Sequence, residues 1–402
     1  MPEAVIVATG RTPIGRARKG SLVDCRPDDL AALVVKEVLA KLPVLDPNTV
    51  EDVLLGNGQP AGEAGYNVGR VAALLAGLPD VPGVTVNRYC SSSLQTIRMA
   101  AHAIRAGEGD VFVAAGVEAV SRYGFGAADV GPHNEAFATA ESRTAERTPK
   151  AGAPWTPLEG VLPDVYIAMG QTAENVAELK KVTREEQDEF GLQSQIRAVA
   201  SQESGFFERE IIPVTTPDGK VVTKDDGPRP GTTLEGLAEL KPVFREGGTI
   251  TAGNACPLND GAAAVVVMSD TRARELDLKP LARIIASGVS GLNPEIMGLG
   301  PVEAVRQTLR RAGMTIDDID LVEINEAFAA QVIPCARELG IGWDKLNVRG
   351  GAIALGHPFG QTGARIMTTL LNALEDTGNT IGLESMCVGG GQGMAMIVER
   401  LN

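Results

Sequence analysis

The stretch Gly83-Val-Thr-Val-Asn-Arg-Tyr-Cys-Ser-Ser-Ser-Leu94 joins a short apolar run to the start of an amphipathic pattern. The apolar run ends at Val86, and a helix is predicted to begin at about Ser91. Apolar residues then recur at helical spacing, at Leu94, Ile97, Ala101 and Ile104. Gly107 is the predicted helix stop, and a second apolar run follows at 111–115. A strand, a helix and a strand in this order are typical of an α/β protein.

Similar apolar runs recur along the chain and predict strands that are buried on both faces. They lie at 4–8, 53–55, 83–86, 111–115 and 262–268 in the first part, and at 282–287, 321–324, 346–348, 381–386 and 394–398 in the second. Helical patterns lie between them, for example at 30–41, 92–106, 302–312 and 362–375. Both parts share one order of elements, which predicts an internal duplication. The predicted fold is α/β, with two duplicated halves that each contain a five-stranded mixed sheet covered on both faces.

Residues 122–248 interrupt this rhythm with prolines, turn-rich segments and helical patterns near 171–204. Long irregular insertions in α/β proteins are often lids or binding loops. The predicted division is therefore an N-terminal half (1–121 and 249–270), an inserted loop domain (122–248) and a C-terminal half (271–402).

The composition of the 402-residue chain argues against several classes of protein. A net charge of -14 argues against a general nucleic-acid surface. No apolar run approaches the ~20 residues that span a bilayer, and the N-terminus lacks the features of a signal peptide. The five cysteines contain no CxxC pair, so neither a disulfide scaffold nor a zinc site is expected. We predict a reduced, cytoplasmic protein with no metal.

Cys90 lies where the predicted strand turns into the helix that begins at about Ser91. A thiol at the positive end of a helix is expected to have a lowered pKa, which favours a nucleophilic thiolate. The alternative is a buried structural cysteine. This motif alone leaves the two interpretations open.

A second motif is Asn347-Val-Arg-Gly-Gly-Ala-Ile-Ala-Leu-Gly-His-Pro-Phe-Gly-Gln-Thr-Gly363. It brings His357, between Gly and Pro, into a loop that can approach a substrate closely. His357 is the natural general base for a thiol. His102 falls in a predicted helix and His133 in the irregular insertion, so both are interpreted as incidental.

The third motif is Ser385-Met-Cys-Val-Gly-Gly-Gly-Gln-Gly393, in which a buried strand runs into a second cysteine and four glycines. Backbone N–H groups in such a segment can stabilise an oxyanion. A glycine-rich hairpin turn is the simpler interpretation, but it does not account for Cys387.

Together, the three motifs resemble the signatures of the thiolase family. The resemblance covers essentially the whole chain and includes Thr9-Gly-Arg-Thr-Pro-Ile-Gly15, Thr172-Ala-Glu-Asn175, Thr251-Ala-Gly-Asn-Ala255, Asn259-Asp-Gly-Ala262 and Asn325-Glu-Ala-Phe328. It implies the thiolase fold, in which the two halves carry an inserted loop domain for coenzyme A binding and oligomer contacts.

The resemblance also implies catalytic roles. Cys90 would be acylated by a coenzyme A thioester, His357 would take its proton, and Cys387 would exchange the proton at the α-carbon of the acetyl unit. Asn325 would hold a water that forms one oxyanion site with His357. The N–H groups of Cys90 and Gly389 would form the other.

Contacts to the substrate are implied in the same way. Arg229 would face the nucleotide, Phe244 and Phe328 would line the pantetheine channel, and Met169 and Met297 would lie near the acyl group. Two departures from the family pattern affect this site. Cys256-Pro257 stands where many relatives have Ser-Gly, which changes a pantetheine contact. Ala168 stands where acetoacetyl-CoA-specific members have His, and this favours a broader substrate range.

The predicted function is therefore 3-ketoacyl-CoA thiolase, an acyl-CoA:acetyl-CoA C-acyltransferase of fatty-acid β-oxidation. Its implied partners are acyl-CoA, acetyl-CoA and CoA as substrates, with no bound cofactor, in a homodimer or homotetramer. One alternative is an acetoacetyl-CoA thiolase that works in the synthetic direction. Others are a non-catalytic CoA- or lipid-binding relative and a redox role for a disulfide between Cys90 and Cys387.

Overall fold

The computed structural model describes residues 2–123, 131–148 and 154–401. The strands in these ranges are β1 (Ala4–Arg11), β2 (Gly15–Arg16), β3 (Asp52–Gly56), β4 (Gly83–Val86), β5 (Val111–Ala119), β6 (Val214–Thr215), β7 (Val221–Val222), β8 (Asn259–Ser269), β9 (Ala282–Gly291), β10 (Leu321–Ile324), β11 (Ile381–Val388) and β12 (Gln392–Arg400). The helices are α1 (Pro27–Ala40), α2 (Val68–Leu75), α3 (Ser92–Ala106), α4 (Ala138–Arg147), α5 (Met169–Lys180), α6 (Arg184–Glu203), α7 (Leu234–Ala238), α8 (Asp270–Glu275), α9 (Gly300–Ala312), α10 (Ala329–Leu339), α11 (Ala352–Leu355) and α12 (Thr362–Thr377). None of these described helices combines the length and apolarity needed to cross a bilayer.

The two halves of the chain repeat one strand order. The first half runs β1-β8-β5-β3-β4 across the sheet, and the second half runs β9-β12-β11-β10. The pairs β3–β5 and β10–β11 are parallel, whereas β5–β8 and β11–β12 are antiparallel. This shared order and polarity confirm the predicted α/β duplication. A short pairing of β1 with β9, at Val5–Arg283 and Ile6–Ala282, joins the halves into one sheet where two separate sheets were expected.

Helices α3 and α12 lie between the two halves. Their apolar side chains share one core with Val265 of β8 and Met396 of β12, which belong to different halves. The two helices begin in close contact, since a Cβ on Gly363 would lie 2.3 Å from the Leu94 nitrogen. Helices α1 and α2 cover the outer face of the first half, and α9 and α10 cover that of the second. The sheet is therefore buried on both faces.

One predicted strand, at 346–348, forms only an isolated bridge between Leu346 and Val322. Asn347 has a left-handed backbone conformation with φ 46°, which interrupts an extended chain. Its side-chain amide takes the place of the strand: Nδ2 donates to Ile324 O and Oδ1 accepts from Ile324 N, both at 2.9 Å. The second half therefore has four strands and an amide-bonded loop where five strands were predicted.

The predicted insertion contains α4 to α7 and the hairpin β6–β7 in its described part. Residues 124–130 and 149–153 of this prediction lie outside the described residues. Helix α5 packs against α10, and α6 packs against both α10 and α11. These helices therefore connect the insertion to the second half of the chain.

Two buried carboxyl groups lie side by side in the second half. Glu323 of β10 and Glu384 of β11 are paired residues of parallel strands, and they are 2% and 0% exposed. Neither carboxyl oxygen of Glu384 has a hydrogen-bond partner among the described residues. Burial raises the pKa of Glu323 to about 8 and the pKa of Glu384 well above its ordinary value, although the charge of Arg365 opposes both shifts. The folded protein is therefore more stable when these two carboxyl groups are protonated.

Replacing Glu384 by Met is expected to stabilise the protein more at pH 8 than at pH 5. An acid with a raised folded pKa contributes its full stability below the unfolded value of about 4.3 and loses it as the pH rises through the folded value. At pH 8, removal of the carboxyl should raise the free energy of unfolding by about 1–3 kcal/mol, the cost of a buried polar group without a partner. Guanidinium unfolding at both pH values measures the difference, with the exposed Glu108→Met as control. Equal shifts at the two pH values would contradict this account.

Candidate active site

Two of the three motifs place their cysteine near the carboxyl end of a strand, where α/β sheets commonly bind ligands. Cys90 lies in the 3₁₀ turn Tyr89–Ser91, between β4 and α3, at the predicted strand-to-helix position. Asn325 follows β10 directly, and Cys387 is the penultimate residue of β11. His357 lies in the loop between α11 and α12. The turn that carries Cys90 contacts both β11 and α12.

Direct contacts connect these residues. The Asn325 N–H donates to a main-chain carbonyl of β11 at 2.9 Å, and its side-chain Nδ2 lies 3.3 Å from His357 Nε2. The Gly389 N–H hydrogen bonds to the Cys90 thiol. Cys387 lies close enough to Cys90 for a charge on Cys90 to raise its pKa. The structure therefore brings the two thiols and the Gly389 N–H together, and it holds the His357–Asn325 pair against the strand that carries Cys387.

Hydrogen bonds fix the tautomer of His357. Its Nδ1 lies 2.6 Å from Thr362 Oγ1, which donates its single hydrogen to Pro358 O at 2.8 Å. Thr362 must therefore accept a hydrogen from Nδ1, so Nε2 carries the lone pair. The main-chain N–H of His357 donates to Asn259 Oδ1 at 3.0 Å, and Asn259 belongs to the Asn-Asp-Gly-Ala motif. The ring is thus held with its basic nitrogen toward Asn325.

The predicted effect of the helix terminus on Cys90 is wrong in its net direction. Burial raises the pKa of the Cys90 thiol to about 12, and the N–H groups of Gly389 and Cys90 only partly oppose this. Burial, with the charge of Arg365, lowers the pKa of His357 to about 3. Burial also raises the pKa of Cys387 well above its ordinary value. The free protein therefore holds neutral thiols beside a neutral imidazole, because the desolvation of a charge outweighs the partial charge of the helix terminus.

Glu118 organises the loops around the site, although sequence analysis did not identify it. Its buried carboxylate accepts hydrogen bonds from the N–H groups of Gly58, Gln59 and Gly360, at 2.8, 3.2 and 2.8 Å. Gly360 is required at this point because a Cβ there would lie 2.3 Å from a carbonyl oxygen of β5. A lone acid in the otherwise apolar run of β5 is the signal that could have indicated this role.

Cys90 and Gly389 line a cavity of about 360 Å³. Four of the residues predicted to contact substrate pack with Cys387 in one apolar cluster: Met169, Phe244, Met297 and Phe328. Phe244 and Phe328 meet edge to face, with ring centroids 6.2 Å apart. Met169 also lines the cavity, so the apolar cluster reaches the space in front of Cys90.

The two other predicted contact residues have different positions. Cys256 is half-buried and lies near Cys90. Burial raises the pKa of Cys256, and the charge of Cys90 adds to this rise. Arg229 is exposed and lines a separate cavity of about 230 Å³, where its N–H donates to Gln195 Oε1 at 2.8 Å. Burial lowers the pKa of Arg229, and the charge of the nearby Arg16 adds to this. The structure thus joins Cys256 to the catalytic group, but not Arg229.

His133, which the sequence analysis interpreted as incidental, lines the cavity that contains Cys90. Tyr123 and Tyr166, also from the predicted insertion, line the same cavity. The sequence around them contains no pattern that identifies a pocket wall. His102 lies on an exposed position of α3.

A duplicated α/β sheet with two thiols and an imidazole at its strand ends suits an acyltransferase that uses a cysteine nucleophile. Comparison with known families supports this class and specifies it further. The model of the thiolase N-terminal domain matches residues 4–271, and the model of the thiolase C-terminal domain matches residues 278–400. The chain belongs to the thiolase family and is an acyltransferase.

Individual relatives match over almost their full length. The beta-ketoadipyl-CoA thiolase of Acinetobacter baylyi is 46% identical, and the match covers 100% of both chains. The 3-ketoacyl-CoA thiolase of Aeromonas hydrophila is 43% identical over 100% of both chains. Among solved structures, the acetyl-CoA acetyltransferase of Bacillus anthracis is 41% identical, with a TM-score of 0.86 and coverage of 100% of this chain and 99% of that chain.

Proposed function

We propose that the protein catalyses the reaction acyl-CoA + acetyl-CoA ⇌ 3-ketoacyl-CoA + CoA through an acyl-cysteine on Cys90. The observations that support the proposal are the closeness of Cys387 to Cys90, which lines the cavity, and the contact of His357 with Asn325, whose N–H bonds to the strand that carries Cys387. The reaction needs one nucleophile, one base for its proton and one base for an α-proton. Two thiols and an imidazole supply these three groups, and coenzyme A thioesters enter as substrates.

In the acylation step, the lone pair on His357 Nε2 takes the proton of the Cys90 thiol as the sulphur attacks the thioester carbonyl. The CoA thiolate then leaves and takes this proton from His357. A neutral imidazole is required for this, and its lowered pKa keeps it neutral. The Gly389 N–H lies at the reacting sulphur, where a donor can stabilise the developing oxyanion. Asn325 Oδ1 is buried without a hydrogen-bond partner among the described residues, which suits the proposed role of Asn325 in holding a water.

In the carbon–carbon step, Cys387 first loses its own proton to solvent and its thiolate then takes the α-proton of acetyl-CoA. The α-carbon bonds to the acyl carbon, and the Cys90 thiolate leaves and takes up a proton; thiolysis reverses these steps. An α-proton is weakly acidic, so its removal requires a strong base. The raised pKa of Cys387 makes its thiolate such a base, and its position beside Cys90 puts it near the acyl group. The enolate oxygen would face the His357–Asn325 pair.

Replacing Thr362 by Val is expected to lower kcat about 10- to 100-fold, a part of the ~10²–10⁴-fold that a general base contributes. Val has nearly the shape of Thr but accepts no hydrogen from His357 Nδ1, so the productive tautomer loses its support. Steady-state thiolysis measures the loss, and Thr362→Ser should retain most activity because it keeps the hydroxyl. Equal activity of the Val and Ser variants would exclude this role.

The substrate that we propose is a 3-ketoacyl-CoA of variable chain length, as in fatty-acid β-oxidation. Ala168 lines the cavity and leaves room where an imidazole would restrict the chain. A thiolase specific for acetoacetyl-CoA is the alternative. A second candidate is a thiolase for 3-oxo dicarboxylyl thioesters, because polar side chains line part of the cavity and relatives carry the name beta-ketoadipyl-CoA thiolase.

A chain-length series of kcat/KM in the thiolytic direction tests the proposal. We expect turnover of acetoacetyl-CoA, 3-oxohexanoyl-CoA and 3-oxododecanoyl-CoA, since the cavity beside Ala168 leaves room for a longer chain. A preference above ~100-fold for acetoacetyl-CoA would favour the alternative. Absence of turnover on every thioester would point to a non-catalytic relative.

We further propose that residues 122–248 form an inserted domain that binds coenzyme A. It would separate the two pieces of the N-terminal half, 1–121 and 249–270, and the C-terminal half would follow at 271–402. The proximity of Arg16 to Arg229, which lines the separate cavity of about 230 Å³, supports a site for the phosphates there. A homodimer or homotetramer remains the expected assembly. Size-exclusion chromatography with light scattering tests the assembly directly.

A further inference from the structure

Five consecutive residues of the insertion, 165–169, line the cavity that contains Cys90. Met169 begins α5, but the four residues before it lie outside helices and strands, in an irregular segment that is described from residue 154 onward. A segment without a regular pattern of backbone hydrogen bonds takes its position from contacts with other parts of the molecule. The shape of this cavity wall therefore depends on what holds residues 154–168 in place.

Glu295 holds this segment near both of its ends. Its side chain is buried, and Oε1 accepts a hydrogen bond from the Asp164 N–H at 3.0 Å, directly before the cavity wall. Oε2 accepts from Trp155 Nε1 at 2.6 Å and pairs with Arg143 of α4. Arg143 also donates to Thr156 O at 2.7 Å. Because hydrogen bonds to a charged group are the strong ones, this single carboxylate determines where the segment lies.

The backbone of Glu295 connects the segment to the second half of the chain. Glu295 lies in the 3₁₀ segment Pro294–Leu299, which contacts β11, the strand of Cys387. Asn175 of α5 donates from Nδ2 to Glu295 O at 2.9 Å. Met297, two residues further along, belongs to the apolar cluster that contains Cys387. Glu295 thus joins the cavity wall to the part of the molecule that carries the second thiol.

We infer that Glu295 is a positioning residue, which sets the place of the wall 165–169 relative to the two thiols and thereby the binding of longer acyl chains. A buried carboxylate suits this role because it accepts at two oxygens, and moving the segment would leave buried donors unpaired. The inference rests on the proposed thiolase function, since that function places the acyl chain beside Cys90. It concerns only how well longer thioesters bind.

Glu295→Gln tests this role, because the amide has the shape of the carboxylate but turns an N–H group toward a donor and loses the charge that pairs with Arg143. Wild-type and variant proteins are compared by kcat/KM for 3-oxododecanoyl-CoA and acetoacetyl-CoA. We expect the ratio of the longer to the shorter substrate to fall about tenfold, since each methylene group that loses its contact with the wall contributes about fourfold. The rate at which acetyl-CoA acylates Cys90 should stay the same, because the variant removes none of the groups that this step uses.

Fluorescence of Trp155 reports the position of the segment independently of activity. The chain has two tryptophans, so Trp343→Phe leaves Trp155 as the only one. In that background, Glu295→Gln should shift the emission of the buried Trp155 to longer wavelength, because the indole loses its partner and meets water. An unshifted spectrum would contradict the proposed hold on the segment. Trp155→Phe removes one donor but keeps an aromatic ring, so it should lower the substrate ratio less than Glu295→Gln does.

Glu303→Gln is the matched control, because this exposed glutamate of α9 pairs with Arg310 at 2.7 Å and does not line the cavity. It should leave the substrate ratio and the fluorescence unchanged. An unchanged ratio in Glu295→Gln, or an equal loss on both substrates, would overturn the inference, since Glu295 would then be only structural. If Glu295→Gln does not fold, an unchanged ratio in Trp155→Phe overturns it in the same way.

Two results with the wild-type protein separate this inference from the proposed function. Cleavage of acetoacetyl-CoA but of no longer thioester would overturn the inference and leave a thiolase, because no longer chain would then reach the wall. If neither thioester is cleaved, the proposed function itself fails, and the inference fails with it.

Discussion

Cys90→Ser is expected to lose acyl transfer by about 10⁴-fold or more, the scale seen when a catalytic nucleophile is removed. Burial already raises the pKa of the Cys90 thiol to about 12, so attack depends on His357 taking the proton as the bond forms. A serine hydroxyl is a much weaker acid and gives a poorer nucleophile in the same position. The size of the side chain hardly changes, so the loss should appear in kcat while the fold is retained.

Peptide mass spectrometry after mixing with acetyl-CoA should place the acetyl adduct on Cys90 in the wild-type protein and find none in Cys90→Ser. Cys25→Ser is the matched control, because Cys25 is buried in the core of the first half with α1. This variant should keep both the adduct and turnover. An adduct found only at Cys25, Cys256 or Cys335 would sink the assignment of the nucleophile.

Cys387→Ala should still form the acyl-enzyme on Cys90 but lose condensation by about 10²–10⁴-fold, the contribution of one acid/base group. Acylation uses Cys90, His357 and the Gly389 N–H, none of which this variant removes. Removal of an α-proton needs the second thiol, so exchange of acetyl α-protons with solvent deuterium should be lost as well. Mass spectrometry of the acyl-enzyme and NMR of the exchange reaction separate the two steps.

Cys335→Ala provides a control for packing in this experiment. Both cysteines are 0% exposed, and the Cys335 thiol donates to Gly298 O at 3.3 Å and packs in a different apolar cluster, with α9 and α10. The same chemical change there should preserve condensation and exchange. If Cys387→Ala retains both activities, Cys387 is only structural and the carbon–carbon step needs a different base.

Much of the architecture could be predicted from local patterns. Nine of the ten predicted apolar runs lie in strands of the structure, because a strand buried on both faces leaves a continuous apolar signal. Helix α3 has the predicted bounds Ser92–Ala106, since its apolar spacing and its terminal Gly107 with φ 77° are local features. The exception at 346–348 depends on the Asn347 amide, whose partners at Ile324 are 23 residues away.

Some features of the candidate active site could likewise be predicted from the sequence, and others depend on the tertiary structure. The sequence by itself indicated the candidate nucleophile, base and second thiol, because their motifs together resemble those of the thiolase family. Only the tertiary structure decided that Glu118 connects two loops from different halves and that Thr362 fixes the tautomer of His357. It also reversed the expected pKa of Cys90 and placed His133 at the cavity. The physical reason is that turns and helix termini are properties of neighbours in the chain. Desolvation, tautomers and cavity walls arise from groups that meet only when distant segments pack together.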